Sequence, residues 1–282
     1  MNQPLLDVAG LVVEYGVGRE RYRAVDDVSF RIPRGGSLAV VGESGSGKST
    51  IARALVRLVR PTAGSITFDG VDLTRLTDRQ LRPLRHRIQM VFQDPYGSLD
   101  PHLNAQQIVA EPLAARGERA RRVRERRAAE LLDAVGLPTS ALHRKPHEFS
   151  GGQRQRIGIA RALAAEPDLL VCDEATSALD VSVQAQVLDI LAGLRRERGL
   201  TFLFISHNLG VVQAVSDEVL VLNGGRVVER GGTGEVLRHP REEYTRRLRR
   251  SALEPALITG RKPREVVRQV AAARTAQSAA TS

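Results

Sequence analysis

The sequence predicts an α/β fold built on a parallel, doubly wound sheet, and three observations support this prediction. Apolar runs that end in polar residues occur at Ser37–Val41, Leu169–Cys172 and Thr201–Ile205, as expected for strands buried on both faces. The first run leads into a glycine-rich loop, and the loop leads into a stretch with helical periodicity. A strand, a loop and a helix in this order form the repeating unit of such sheets.

Length and composition limit the possible architectures. The chain has 282 residues, of which 42% are hydrophobic, enough for one large domain or two modest ones with a buried core. A single cysteine, Cys172, excludes an internal disulfide and a cysteine-based metal cluster. The chain has no apolar run near the roughly 20 residues that cross a bilayer, and its N-terminus lacks the basic region of a signal peptide. We therefore expect a cytosolic protein.

The strong positive charge raises the question of an anionic partner. The formal net charge is +10, so nucleic acid and anionic lipid are both candidates. Among the basic residues only Lys48, Lys145 and Lys262 are lysines, and this arginine bias is typical of genome composition. The charge is concentrated in Arg116–Arg127 and after Arg238. We interpret the first cluster as a solvated helix face, and a contact surface is the alternative.

The elements around the loop are predicted from periodicity. Apolar and polar residues alternate, as in antiparallel strands, at Leu11–Tyr15, Val28–Ile32 and Ser65–Phe68. After the loop, one helical face is formed by Ile51, Leu55, Leu58 and Val59, and Pro61 is expected to end this helix.

The middle and the end of the chain follow different patterns. From about Pro95 to Phe149 the strand signal disappears, and Leu131, Leu132 and Val135 complete an arginine-rich helix. We predict a helical subdomain at about 95–165, inserted in a main domain of residues 1–255. Residues 256–282 form a basic tail rich in Ala and Arg, for which we predict a loosely held helix or disorder.

The loop after Val41 has the pattern G-x-x-x-x-G-K-[ST], which binds phosphate. Its glycines let backbone amides converge on a polyphosphate, and the following helix directs its N-terminal dipole at the same anion. We expect Lys48 to reach the β- and γ-phosphates and the Ser49 hydroxyl to bind Mg²⁺. The residues assigned to this site are Gly42, Glu43, Ser44, Gly45, Ser46, Gly47, Lys48, Ser49 and Thr50.

Two carboxylates follow the apolar run that ends at Cys172. In an open parallel sheet, ligands bind at the carboxyl ends of the strands, so Asp173 and Glu174 should face the phosphate loop. Asp173 suits Mg²⁺ coordination, and Glu174 suits the activation of an attacking water. The alternative is a pair of helix-capping acids. We interpret Cys172 as a small core residue.

A second glycine-rich helix start occurs at Phe149–Arg156, with Ser150 as the expected N-cap. With this segment, residues from about Val8 to Glu235 resemble the ATP-binding-cassette (ABC) family, whose signature is [L/F]-S-G-G-Q. The resemblance implies ATP and Mg²⁺ as ligands, and a RecA-like parallel-sheet core with an antiparallel β-subdomain and a helical subdomain. It also implies a head-to-tail dimer, in which the γ-phosphate held by one chain contacts the partner's Ser150, Gly151, Gly152 and Gln153.

The same resemblance assigns roles to other residues. Gln93 matches the glutamine that senses Mg²⁺, and His207 matches the histidine that holds the γ-phosphate. Tyr15 matches the aromatic residue that stacks on adenine, with Tyr22 as the alternative. Residues 177–180 match the loop that joins two cassettes. The implied catalytic residues are Glu174, His207, Gln93 and Lys48, and the implied metal ligands are Ser49, Gln93 and Asp173.

Further details resemble the ATPases of oligopeptide and dipeptide importers. The relevant stretches are Lys145–Glu148, Asp94–Pro101 and Tyr244–Arg246, although Glu243 replaces the usual proline before the tyrosine. This resemblance implies a peripheral subunit at the cytoplasmic face of the membrane. Its expected partners are two transmembrane permease subunits, a second ATPase subunit and, indirectly, an extracytoplasmic solute-binding protein. A heterodimer is the expected state and a homodimer the alternative.

A cassette that acts on nucleic acid is the competing interpretation, suggested by the basic segments. Chromosome-associated cassettes carry a very long coiled coil, and the segment between Gln93 and Leu169 is too short for one. Excision-repair cassettes need zinc-binding cysteines, which this sequence lacks. We therefore do not expect a nucleic-acid partner.

Overall fold

Two β-sheets and the helices around them make up the part of the chain that the computed structural model describes, residues 3–16, 20–175 and 181–258. The strands are β1 (Leu6–Tyr15), β2 (Tyr22–Ile32), β3 (Ser37–Val41), β4 (Ala63–Phe68), β5 (Val71–Asp72), β6 (Ile88–Val91), β7 (Leu169–Asp173), β8 (Thr201–Ile205), β9 (Glu218–Asn223) and β10 (Arg226–Gly232). The α-helices are α1 (Lys48–Leu55), α2 (Asp78–Leu81), α3 (Pro95–Ser98), α4 (Ala105–Ala115), α5 (Arg121–Ala134), α6 (Gly151–Ala164), α7 (Val181–Arg198), α8 (Leu209–Val215), α9 (Thr233–Arg238) and α10 (Glu243–Ile258).

The first sheet is antiparallel, with the strand order β2-β1-β4-β5. Alternate residues of β1 are buried, as in a sheet that packs one face against the core. Leu6 lies opposite Ile32 on one side and Phe68 on the other. The predicted antiparallel strands are thus confirmed, and β1 and β2 extend several residues beyond the predicted ranges.

The second sheet has the order β10-β9-β3-β8-β7-β6 and is parallel except for β10. Every residue of β3, β7 and β8 is buried, which explains why these strands have uninterrupted apolar sequences. One face of the sheet packs with α6 and α4 in one buried cluster. The other face packs with α1 and the antiparallel sheet in a second cluster. Because the strands are parallel, the carboxyl ends of β3, β6, β7 and β8 lie at the same edge of the sheet.

The predicted end of helix α1 was wrong, because the helix is shorter than the sequence pattern indicates. We expected the helix to continue through Leu58 and Val59 to a stop at Pro61, but it ends at Leu55. The reason is local, because Arg57 has a left-handed backbone with φ of 58° that turns the chain out of the helix. Leu58 consequently leaves the apolar face and is 62% exposed.

Residues 95–164, all of which have a described backbone, form helices and turns without a strand. Helices α4, α5 and α6 bury Ile108, Leu132 and Ile157 in the cluster that covers the parallel sheet. Part of the arginine cluster of this segment is paired with acids, through Arg121–Glu125 at 2.7 Å and Arg127–Glu166 at 2.8 Å. These ion pairs favour the solvated face that we expected over a contact surface.

Helix α10 follows β10 and reaches Ile258, beyond the domain boundary predicted at residue 255. Residues 259–282, most of the predicted basic tail, lie outside the described part of the chain. Within the described part, no helix has both the length and the apolar character needed to span a bilayer.

Candidate nucleotide-binding site

The phosphate loop connects β3 to α1, as predicted, and its glycines allow close approach of other strands. Gly42 has φ of 156°, and a Cβ there would lie 2.2 Å from the carbonyl oxygen of Leu222. Gly47 has φ of 101°, and a Cβ there would lie 2.1 Å from the carbonyl oxygen of Ala24. Both positions therefore exclude side chains, and the loop is held against β9 and β2.

Lys48 begins α1, is buried, and folds back across the loop. Its Nζ donates hydrogen bonds to the carbonyl oxygens of Gly42 at 2.9 Å and Glu43 at 2.6 Å. Burial lowers the pKa of Lys48, and the negative charges of Glu174 and Asp173 oppose that shift. The ammonium group lies within the loop, where a polyphosphate can replace these carbonyl contacts.

Asp173 ends β7 beside the loop, and its Oδ1 accepts a hydrogen bond of 2.8 Å from the Ser49 hydroxyl. Burial raises the pKa of Asp173, and the neighbouring charge of Glu174 raises it further, although the Ser49 hydrogen bond opposes the shift. A hydroxyl and a carboxylate are oxygen ligands of the kind that Mg²⁺ uses when phosphates complete its coordination. Within the described residues, no group of three or more His, Cys, Asp or Glu could hold a metal by itself. This donor set fits Mg²⁺ bound together with a phosphate.

Glu174 lies at the centre of a group of polar side chains from three strand ends. Its Oε2 accepts a hydrogen bond of 2.8 Å from Gln93 Nε2, just after β6, and its Oε1 lies 3.4 Å from Nδ1 of His207, after β8. Glu174 has a left-handed backbone with φ of 47°, and its amide donates to the Ile205 carbonyl oxygen at 2.9 Å. The turn after β7 therefore directs the carboxylate towards Gln93 and His207.

These residues line one cleft of about 490 Å³. Its lining residues are Tyr22, Ala24, Ser44, Gly45, Gly47, Lys48, Ser49, Thr50, Gln93, Glu174 and His207. Tyr22 is 61% exposed, whereas Tyr15 is partly buried against the core. The two ring centroids are 5.7 Å apart. The cleft thus joins an exposed aromatic ring to a phosphate loop and a carboxylate.

The predicted signature segment starts α6, with Ser150 as the N-cap, as predicted. The amide of Gln153 donates to Ser150 Oγ at 3.3 Å, and Ser150 N donates to Gln153 Oε1 at 3.1 Å. The residues that line the cleft of Lys48 do not include Ser150–Gln153 in the described part of the chain. The predicted linking loop, residues 177–180, lies outside the described part of the chain.

Two contacts at the site were not anticipated from the sequence. Gln155 of α6 donates from Nε2 to the Phe92 carbonyl oxygen at 3.3 Å, so the signature helix contacts the chain next to Gln93. The Tyr244 hydroxyl accepts a hydrogen bond of 3.0 Å from the amide of Glu43 in the phosphate loop. The second contact joins residues that are 201 positions apart in the sequence, and no local pattern could have predicted it.

The fold and this cleft define a phosphate-loop nucleoside triphosphatase. A family model described as ABC transporter matches residues 25–177. A Brucella ovis protein named for peptide import and ATP binding is 49% identical over 245 residues, covering 87% of this chain and 77% of that protein. The dipeptide transport ATP-binding protein DppF of Escherichia coli is 44% identical over 254 residues, covering 88% of this chain and 76% of that one.

Comparison with a solved structure indicates the same family as the sequence comparisons. The ATP-binding cassette MJ0796, in a dimeric post-hydrolysis state bound to ADP and Pi, matches with a TM-score of 0.76 at 30% identity. The match covers 81% of this chain and 98% of the cassette. The chain belongs to the ABC transporter family and is an ATPase of that family. The expected family and fold class are therefore confirmed.

Proposed function

We propose that this chain is the ATP-hydrolysing motor subunit of an importer for peptides or related solutes. The observation that carries the proposal is the cleft lined by Lys48, Ser49 and Glu174, with Asp173 hydrogen-bonded to Ser49 beside it. Relatives at 44% and 49% identity are named for dipeptide transport and peptide import, which supports the solute class.

The chemistry assigned to the cleft is an in-line attack of water on the γ-phosphate of ATP, in which the bond to the β,γ-bridging oxygen breaks and ADP leaves. Glu174 orients the water and accepts its proton, and Gln93 and His207 hold the carboxylate and contact the γ-phosphate side of the cleft. Lys48 exchanges its carbonyl contacts for the β- and γ-phosphates and so offsets the charge that develops. Ser49, Asp173 and Gln93 are the proposed ligands of Mg²⁺, which when bound adds further positive charge at the phosphates.

We propose that the adenine base of ATP binds at the neighbouring rings of Tyr15 and Tyr22. Tyr15 is the residue that the family resemblance selects, and Tyr22 presents the more exposed ring to the cleft. An aromatic face at the entrance can stack on a purine. In this arrangement Tyr22 contacts the base and Tyr15 supports it.

The signature segment is assigned to the partner's site. Ser150–Gln153 begin a helix whose first amides can bind an anion, yet they lie apart from the cleft lined by Lys48. A head-to-tail dimer brings the helix start of one chain to the γ-phosphate held by the other. The solved cassette dimers of the family support this arrangement. The second subunit is a different cassette in this proposal, and a homodimer is the alternative.

We place the working protein at the cytoplasmic face of the membrane as a peripheral subunit bound to two permease subunits. An extracytoplasmic binding protein delivers the solute to those permeases. We do not propose action on nucleic acid, because acids pair with arginines of the basic segment that suggested it.

Replacing Glu174 with Gln tests the proposal directly. The amide keeps the size of the side chain but cannot accept the proton, so ATP should still bind and turnover should fall by about 10²–10⁴-fold. Phosphate release measures the turnover of this chain together with its partner cassette, and gel filtration of the same mixture with ATP measures the trapped dimer. The matched control is Glu130→Gln on the exposed face of α5, which should leave both values unchanged. Near-normal hydrolysis by Glu174→Gln would refute the assignment.

A further inference from the structure

Helix α10, near the end of the described chain, contacts the phosphate loop through one side chain. The hydroxyl of Tyr244 accepts a hydrogen bond of 3.0 Å from the backbone amide of Glu43. Tyr244 is only 8% exposed and belongs to the buried cluster that includes Val41, the last residue of β3, and Leu248 of α10. The tyrosine therefore lies in a packed position and is not a surface side chain that happens to touch the loop.

The Glu43 residue is held on both sides of its backbone. Its amide donates to Tyr244, and its carbonyl oxygen accepts a hydrogen bond of 2.6 Å from Lys48 Nζ. The amide of Ser46 also donates to that oxygen, at 3.2 Å. Glu43 is thus the position where helix α10, the phosphate-binding lysine and the turn of the loop meet.

Helix α10 is itself fixed independently of the loop. The carboxylate of Glu229 on β10 accepts hydrogen bonds from the amides of Arg241 at 2.9 Å and Glu242 at 3.3 Å, just before the helix begins. Burial alone would raise the pKa of Glu229, but these amides, together with other contacts of the carboxylate that include the charge of Arg241, outweigh burial and lower the pKa. The carboxylate therefore remains charged and anchors the start of α10, which gives Tyr244 a fixed place from which to hold the loop.

We propose that Tyr244 is a positioning residue for the phosphate loop, which it holds in the shape that receives the polyphosphate of a nucleotide. The inference rests on the proposed function, since the loop is taken as the nucleotide site. A loop that is already ordered loses less conformational entropy when the ligand binds, so the hydrogen bond raises affinity without touching the reacting atoms. Tyr244 should therefore affect nucleotide affinity and KM much more than kcat.

The experiment compares wild type with Tyr244→Phe, which keeps the buried ring and removes only the hydroxyl. One neutral hydrogen bond corresponds to about a fivefold change, so we expect the Kd for ADP and the KM for ATP to rise about fivefold, with kcat within about twofold. The matched control is Ser251→Ala, which removes an exposed hydroxyl from the same helix and should leave both constants unchanged. An unchanged Kd in Tyr244→Phe, or an equal loss in kcat with KM unchanged, would overturn the inference.

Amide hydrogen exchange of Glu43, followed by NMR without nucleotide, separates this inference from the proposed function, and its wild-type measurement needs no variant. In the wild type the Glu43 amide should exchange more slowly than an unstructured amide, and Tyr244→Phe should remove that protection. Exchange at the unstructured rate in wild type means that the contact is not formed and contradicts the inference. If the amide is protected and wild type fails to hydrolyse ATP in the presence of its partner cassette, the proposed function fails while the contact stands.

Discussion

Gly45 and Gly47 both have a positive φ, but the space around them differs. A Cβ added at Gly45, where φ is 79°, would have no atom of the described residues within 4 Å, whereas a Cβ at Gly47 would lie 2.1 Å from the Ala24 carbonyl oxygen. The first glycine is thus required only for backbone conformation, and the second also for the approach of β2. The phosphate-loop pattern specifies Gly47 but leaves residue 45 open.

This difference predicts graded losses for two alanine variants. Gly45→Ala should lower the free energy of unfolding by about 1 kcal/mol, the usual strain of a left-handed residue. Gly47→Ala adds a backbone clash and should cost about 3 kcal/mol or more. Urea unfolding without nucleotide measures both, so that contacts with ligand do not contribute. Equal losses for the two variants would contradict the assigned role of the Ala24 carbonyl.

At the level of single elements, the start of α6 combines two tasks in Ser150. The serine caps the helix through Gln153, and the proposed dimer uses the same residue to contact the partner's γ-phosphate. Asn104 offers a comparison, because it caps α4 with the same reciprocal pattern through Gln107. The two caps should contribute similarly to the stability of the protein, but only Ser150 has a proposed role in hydrolysis.

Variants at the two caps should therefore separate stability from hydrolysis. Ser150→Ala and Asn104→Ala should each lower the free energy of unfolding by about 1 kcal/mol, the usual value of an N-cap. Ser150→Asp keeps an acceptor and should retain wild-type stability, yet its charge would repel the γ-phosphate and hydrolysis should be lost. Asn104→Ala should keep hydrolysis. Urea unfolding and phosphate release are the measurements, and active Ser150→Asp would rule out the trans contact.

An element could be predicted from the sequence where neighbouring residues alone determine it, and it was missed where a contact with a distant segment or an unusual backbone conformation determines it. The strands β3, β7 and β8 are buried on both faces, so their sequences alone identify them. The end of α1 was missed because it depends on a left-handed Arg57, for which arginine has no preference. The phosphate loop was found from a local pattern. The contact between Tyr244 and Glu43 arises only when α10 folds onto the loop, so no pattern within either segment reveals it.

Across the molecule, four charged side chains join the two sheets. Asp69, in the turn between β4 and β5, accepts hydrogen bonds of 2.6 Å from Arg34 and from Arg87. Arg87 also donates at 2.5 Å to Asp168, and these two residues precede β6 and β7. Arg34 lies between β2 of one sheet and β3 of the other. The cluster thus ties the antiparallel sheet to the parallel one.

This cluster predicts how stability depends on pH. The Arg87 hydrogen bond lowers the pKa of Asp69 below its ordinary value near 3.9, although burial opposes the shift. Because the folded pKa is lower than the unfolded one, the unfolded chain binds more protons in this range, and stability rises with pH there. The contribution of Asp69 should be complete above about pH 5 and should be lost as the pH falls through the folded pKa.

Asp69→Asn provides the comparison that isolates this effect. At neutral pH the loss should stay at about 1 kcal/mol or less, since Asp69 is partly exposed and solvent screens its ion pairs. Urea unfolding of wild type and variant from about pH 7 to about pH 3.5 should show that loss shrinking as the wild-type carboxylate becomes protonated. Asp133→Asn, at an exposed position of α5, serves as the control. The difference in stability between this variant and wild type should not shrink as the pH falls. A difference between wild type and Asp69→Asn that stays constant over this range would show that the charge of Asp69 does not hold the two sheets together.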